Sequence, residues 1–257
     1  MVTQYPIFIN NRDRLQPLIQ LIRWLERVGQ ATIYIVDNDS SYGPLLKFYE
    51  RCPYEVIRLS QNVGHLAPWE SGCVEKICPD QYYVVTDADI VPVSYCPNDA
   101  LAHFRDLLDR YPDKLKVGFG LKIDDLPRRY KFAAEVRAWE GQFWNHEVEP
   151  KVYDAVIDTT FALIRPGVDQ VFKIFWSALR TGEPYVARHS PWYADSRRPN
   201  AEERYYRAHA RPDLNHWDAE ELPDHLITLM ETAGVSVDPP RVPLLRRLWE
   251  TVVQIPR

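Results

Sequence analysis

Residues 82–92 read YYVVTDADIVP. An apolar, β-branched run stops at Asp87–Ala88–Asp89, and a proline follows at Pro92. The run has the pattern of a strand buried on both faces. Ending it on two like charges needs a physical reason. On an extended strand, residues i and i+2 face the same side, about 6.6 Å apart, and two carboxylates that close repel unless a cation joins them. Hard oxygen donors suit Mg²⁺ or Mn²⁺. Such an ion, left partly open, would hold a diphosphate and stabilise it as a leaving group. Two solvated turn aspartates would give the same letters. The DxD pattern is weak alone, since Asp37–Asn38–Asp39 repeats it.

The placement of the pair strengthens the reading. Upstream, apolar runs predict strands at 5–9, 32–36 and 54–60, with the fourth at 82–86. Between them, helical spacing of Leu15, Leu18, Ile19, Ile22 and Leu25 predicts a helix over 14–28, closed by Gly29. LLKFYERC (45–52) reads as a short helix and 69–77 as another. Strands alternating with helices imply a mostly parallel sheet with right-handed crossovers. Further on, the pattern predicts a helix at 98–111 capped by Asn98, strands at 116–123 and 154–165, and a helix over 166–181 started by Pro166. Residues 184–193 are mixed. Helices follow at 201–209, 218–233 and 243–253. The expected architecture is α/β: a Rossmann-like, mostly parallel sheet flanked by helices, with a helical C-terminal appendage. One domain spans 1–199, and 200–257 packs on it as an extension.

Bulk properties narrow the function. The chain has 257 residues and a formal net charge of −5 without a long basic run, so nucleic acid is not the expected partner. The four cysteines, Cys52, Cys73, Cys78 and Cys96, form no CxxC and no zinc-finger spacing, which reads as reduced core thiols. The N-terminal residues lack signal-peptide organisation, and no run approaches the roughly 18 apolar residues of a spanning helix. The expectation is a cytoplasmic protein, peripheral at the inner membrane. VPLLRRLWETVV (242–253) is the stretch that would touch lipid.

In open α/β sheets, ligands sit past the carboxyl ends of the strands. Here those ends carry Asn10–Asn11–Arg12, Asp37–Asn38–Asp39–Ser40, Asn62–Val63–Gly64 and Asp87–Ala88–Asp89, all on one rim. Asp37 could accept a base N–H or a ribose hydroxyl, or simply form an Asx turn. Arg12 could face a phosphate or sit solvated. Gly64, lacking a Cβ, would let backbone approach a nucleotide.

Taken together, IFINNR, IVDNDS, QNVGHLAPW and VVTDADIVP resemble the nucleotide-diphospho-sugar transferases of the GT-A fold, nearest to the family-2-like group. The resemblance is good over about residues 5–92 and weak to about 193. It implies that Ile9, Asn10, Arg12 and Asp37 hold base and ribose. Asn62 and Gly64 would line the nucleotide pocket, with Asp87 and Ala88 also at the nucleotide and Asp87 and Asp89 at a Mn²⁺ or Mg²⁺ ion. It implies transfer of a sugar from a nucleotide diphosphate, UDP before GDP, to a hydroxyl of a glycan or lipid-linked acceptor. The acidic ED-type motif usual in family 2 is absent. In its place stands GEPYVARHSPWY (182–193), which is similar to branches where a later histidine completes the metal site, here His189.

A general base near the acceptor is also required for an inverting transfer. Asp158, inside the apolar run AVIDTTFALI, is the first candidate and Glu140 the second; inversion and retention stay open. Trp139 and Trp192, with Phe143 and Trp144, could stack on sugar faces. Three rivals use parts of the same pattern. TDADIV fits the signature of haloacid-dehalogenase phosphatases, with Lys122 and Asp124–Asp125 as later motifs. A glycoside hydrolase also needs two carboxylates. A nucleotide-sugar-binding module would keep the pocket without chemistry.

Overall fold

The structure, a computed structural model, describes residues 4–167, 171–210 and 224–232. The first half runs β1 (Tyr5–Asn11), α1 (Gln16–Val28), β2 (Ala31–Asp37), α2 (Gly43–Tyr49), β3 (Glu55–Arg58), α3 (Ala67–Glu70), α4 (Cys73–Ile77) and β4 (Tyr83–Asp87). The second half runs β5 (Ile90–Pro92), α5 (Ala100–Arg110), β6 (Lys116–Leu121), α6 (Ala133–Gly141), β7 (Glu147–Glu149), β8 (Val152–Asp154), β9 (Ala162–Ile164), α7 (Val171–Trp176), β10 (Ala178–His189), α8 (Ala201–His209) and α9 (Asp224–Thr232).

One sheet carries all the strands, in the order β3–β2–β1–β4–β9–β6–β10–β8–β7, with β5 paired to β10. β3, β2, β1 and β4 are mutually parallel, as are β6 and β10, whereas β9 runs antiparallel between β4 and β6. The architecture is α/β, as the alternating pattern implies, but the sheet is mixed and not mostly parallel: β5 and β8 also pair antiparallel with β10, and β7 with β8. Period-2 alternation sorts the side chains into two cores. Ile7, Ile9, Ile33, Ile35 and Val84 meet α1 and α5 on one face, while Phe8, Val36, Tyr83 and Val85 meet α3 and α4 on the other. The first face centres on interlocked aromatic rings: Trp24 meets Phe119 and Phe161 edge-on, both at 5.7 Å between centroids. β9 fits beside β6 only because position 118 is glycine, since a Cβ there would strike the Phe161 carbonyl and lie 2.7 Å from the Ala162 Cβ.

Several expectations need correction. The helix expected at 69–77 is two short helices, broken where Gly72 takes a left-handed φ of 71°. The helix of 98–111 starts at Ala100 after Asp99, and Asn98 is not its cap; the Asp99 carboxylate is instead taken by the Tyr185 hydroxyl at 3.0 Å. The strand of 154–165 is not continuous: Asp154 ends β8, a loop follows, and pairing resumes at Ala162–Ile164. Of the helix expected at 166–181 the described part is Val171–Trp176, and it does not reach 181, because Ala178–Thr181 pair with Lys116–Phe119 and become the start of a twelve-residue strand. Tertiary pairing overrides local propensity there. α6, β5, β7 and β8 were not anticipated. Of the expected helix at 218–233 the described part is α9, and the helix at 243–253 lies outside the described residues. α8 is capped by the Asn200 side chain, which accepts from Glu203 N–H at 2.8 Å, and Met230 of α9 is buried in the main core. No helix among the described residues is long and apolar enough to cross a membrane.

Candidate active site at the sheet switch point

The chain runs β1, β2, β3 outward to one edge and then places β4 on the other side of β1. Strand order therefore reverses between β1 and β4, the position at which open α/β sheets leave a crevice. Asn10 and Asp87 are register partners at that point, and Asn10 Nδ2 donates to Asp87 Oδ1 at 3.2 Å. The ladder continues one step, with Ala88 N–H on the Asn10 carbonyl at 3.0 Å, before the chain turns into β5. Asp89 thus sits in a turn and not on the strand itself, contrary to the expected i, i+2 strand geometry.

The two carboxylates remain close enough to oppose one another. Burial pushes the Asp87 carboxyl well above the usual carboxylate range, and the Asp89 charge adds to the push. Hydrogen bonds from Thr159 Oγ1 (2.7 Å) and Asn10 counter it in part. Asp89 is flanked by Arg14 Nε at 3.8 Å and His189 Nε2 at 3.6 Å. His189 reaches it because β10 pairs antiparallel with β5, setting His189 opposite Ile90, and Ser190 N–H donates to the Asp89 carbonyl at 2.8 Å. His189 Nδ1 is buried without a hydrogen-bond partner. Trp192 is buried and backs this imidazole edge-on at 4.7 Å, so its ring supports the histidine from within the core.

The loop between β8 and β9 closes another side. Asp158 is exposed, and its carboxylate accepts the Thr160 N–H at 3.0 Å. Desolvation raises its pKa, but the Arg180 charge, the Thr160 N–H and Lys116 outweigh that and hold it below the ordinary value. Two buried cations grip this loop by its carbonyls. Lys116 Nζ donates to Asp158 O at 2.6 Å and Arg180 Nε to Val156 O at 2.8 Å. Burial brings the Lys116 ammonium down to about 7. Glu140, the second candidate base, is buried and bound to Arg180 Nη1 at 2.6 Å. Burial raises its carboxyl despite that partner. Trp139 is half-buried on α6, edge-on to Phe143 at 5.9 Å.

The remaining rim residues lie mostly below the surface. Asp37 is fully buried, with Oδ1 accepting from the Tyr49 hydroxyl (3.1 Å) and Oδ2 from Arg58 Nε (3.1 Å). Tyr49 in turn accepts from Asn11 Nδ2 at 2.8 Å. Arg12 donates to the Asn38 and Asp39 carbonyls, both at 2.9 Å, which clamps the turn after β2. Asn62 Oδ1 accepts the Gly64 N–H at 2.9 Å, and Gly64 takes a φ of 85°. Ile9 is core, and Ala88 is buried beneath the turn. The sequence reading missed Asn38, whose amide joins two rim loops by donating to Gly64 O (2.7 Å) and accepting from Val63 N–H (2.9 Å). It also missed Arg14, Thr159, Lys116 and Arg180. Thr159, beside Asp158 in DTT, was the one with a visible signal.

Among the described residues no group of three or more His, Cys, Asp or Glu side chains is placed to hold a metal ion. The donors nearest to one another are Asp87, whose charge burial disfavours, Asp89, and His189, which turns Nε2 toward Asp89 and keeps Nδ1 buried without a partner. Carboxylate oxygens are the donor type that a hard divalent ion takes.

No family model matches the chain, and no curated protein matches it. Among solved structures it is similar to a UDP-glucose pyrophosphorylase complexed with UDP-glucose, at 13% identity and a TM-score of 0.39 over 75% of this chain and 85% of that one. It is also similar to HddC from Yersinia pseudotuberculosis complexed with GMP-PN, at 15% identity and a TM-score of 0.34 over 64% and 75% of the two chains. A third is mouse xyloside xylosyltransferase 1, at 9% identity and a TM-score of 0.28 over 63% and 66%. These likenesses are distant, and the functional reading rests on the site.

Proposed function

We propose that the protein is a metal-dependent glycosyltransferase that moves a sugar from a nucleotide diphosphate, a UDP-sugar before a GDP-sugar, to a hydroxyl of a glycan or lipid-linked acceptor. The observation that carries this is the convergence of Asp87 from β4, Asn10 from β1 and His189 from β10 with Asp89, in the crevice where strand order reverses. Asp87, Asp89 and His189 would hold Mn²⁺ or Mg²⁺. Such an ion, when bound, neutralises charge on the diphosphate.

The chain's own residues supply the rest. Thr159 and Asn10 fix the Asp87 carboxylate by one hydrogen bond to each oxygen, so the carboxylate is oriented before any ligand arrives. Arg14 lies beside Asp89, where a guanidinium would also meet phosphate oxygens. Asn62, Gly64 and Asn38 shape the rim loop that nucleotide backbone would approach. Asp37 and Arg12, engaged below the surface, act by holding that rim in place. Asp158 is the proposed base: it is exposed, kept ionised, and carried by a loop that Lys116 and Arg180 pin. It would take the acceptor O–H proton as that oxygen bonds the anomeric carbon and the bond from carbon to diphosphate breaks, the electron pair leaving with the diphosphate. Glu140, sealed in its ion pair, serves as the anchor of Arg180. For the phosphatase alternative, Lys122 pairs with Asp124 at 2.9 Å but also with Glu183 at 2.6 Å, and Asp125 is engaged by Arg188 and Tyr193, which favours a structural role for this group.

The test is turnover. The protein incubated with Mn²⁺ and a panel of nucleotide sugars is expected to release nucleoside diphosphate slowly, and the release should disappear with EDTA and in Asp89→Ala. Asp158→Ala should lose acceptor-dependent transfer while retaining donor binding. Binding without release across a broad acceptor panel would assign a sensor instead, and release of inorganic phosphate from simple esters would assign a phosphatase.

A further inference from the structure

Away from the acidic crevice, a cavity of about 830 Å³ opens between α1, β5 and the turn that follows β10. Its wall carries Arg23, Arg27, Arg129 and Arg188, together with Gln20 and Trp24. Arg23 and Arg27 are four residues apart on α1 and so share a face. Arg27 donates to the Ser94 and Cys96 carbonyls (3.1 and 3.3 Å) and Arg129 to the Tyr193 carbonyl (3.3 Å), which steadies these guanidinium groups without neutralising them. Arg188 alone of the four has a carboxylate partner among the described residues, Asp125. Two carboxylates also line the cavity, one held by a cation and one by a backbone N–H. Glu203 receives Arg14 at 2.5 Å, and Glu202 accepts the Gln16 N–H at 3.0 Å. Two buried donors lack acceptors, Trp24 Nε1 and Arg188 Nε, and Trp24 is only 5% exposed.

A cavity walled by three guanidinium groups without a carboxylate partner among the described residues is short of acceptor oxygens. We infer that it is a binding site for a phosphate ester of sugar size. Guanidinium groups match phosphate oxygens in geometry as well as charge, and the volume lies in the range of small-ligand pockets, well above that of a bare anion. Gln20 supplies the neutral polar contact that a hydroxylated ligand needs. A soluble sugar phosphate and a phospholipid headgroup share this chemistry. The cavity shares a wall with the acidic crevice, since Ser190 lines it and donates to the Asp89 carbonyl. Binding here does not require any turnover at Asp87 and Asp89, so the two readings fail separately.

Calorimetric titration of the whole chain with glucose 6-phosphate at low ionic strength should show binding, with glucose as the neutral control showing none. Arg23→Glu and Arg129→Glu, both at exposed positions, should each weaken it roughly tenfold, the loss of one charged hydrogen bond, with unchanged melting temperature. Asp89→Ala should bind as wild type. Co-sedimentation with mixed phosphatidylglycerol–phosphatidylcholine vesicles, but not with pure phosphatidylcholine, and loss of that in Arg23→Glu, would assign the headgroup as the source. The inference is overturned if neither glucose 6-phosphate nor anionic vesicles bind, if Arg23→Glu and Arg129→Glu bind as wild type, or if Asp89→Ala abolishes binding and so moves the ligand to the crevice.

Discussion

Asp87 ends a buried strand with one hydrogen bond to each carboxylate oxygen and a second acid two residues on. Its carboxyl is raised by burial first and by Asp89 next. A folded-state value above the unfolded one, about 3.9 for aspartate, means that its contribution to stability is complete at low pH and is lost as pH rises through the folded value. Without metal, placing Asp87 in its buried site therefore opposes folding at any pH above its unfolded value. Asp87→Asn keeps the shape and removes the charge, so in EDTA at pH 8 it should melt a few degrees above wild type, with the gap closing below about pH 4. Thermal melts across pH check this, and equal melting temperatures at pH 8 would show that the charge is not destabilising. The aspartate pair was legible in the sequence because a two-face-buried strand has no structural use for it. Its partner Thr159 lies seventy-two residues away on a loop, where its place beside Asp158 in DTT is the one local hint of the contact.

At the scale of elements, the segment between β8 and β9 explains why the second half of the chain resisted reading. AVIDTTFALI is apolar enough for a continuous strand, yet only Ala162–Ile164 pair. The rest is drawn into a loop by Lys116 and Arg180, which take the Asp158 and Val156 carbonyls, and by Ile157 N–H on the Phe175 carbonyl at 3.1 Å. Long-range partners of this kind leave no periodic trace. The same holds for β10, whose first residues carry a helical pattern but find β6 as a partner. Arg180 and Glu140 form a buried pair with side-chain exposures of 4% and 6%. Glu140→Leu should destabilise the protein by about 3–5 kcal/mol because it strands a buried guanidinium, whereas Glu140→Leu with Arg180→Met should recover much of the loss. Urea unfolding of the three variants measures this. A single variant as stable as wild type would contradict the anchoring role given to Glu140.

At the scale of the molecule, the four parallel strand units and the polar rim follow from uniform apolar runs and the turn residues between them, and they were readable without coordinates. The reversal of strand order was not, since it depends on which side of β1 the fourth strand chooses. That choice sets Asp87 against Asn10 and, through the long β10, brings His189 to Asp89 from one hundred residues downstream. If Asp87, Asp89 and His189 hold a divalent ion as proposed, the chain should bind it weakly alone and more tightly when a diphosphate supplies further oxygens. The most direct measurement is the free Mn²⁺ signal in electron paramagnetic resonance, titrated with protein in the presence and absence of UDP. The account predicts that UDP strengthens Mn²⁺ capture by the wild-type chain and that Asp89→Ala loses this gain. Capture that is indifferent to UDP, or unchanged in Asp89→Ala, would contradict it.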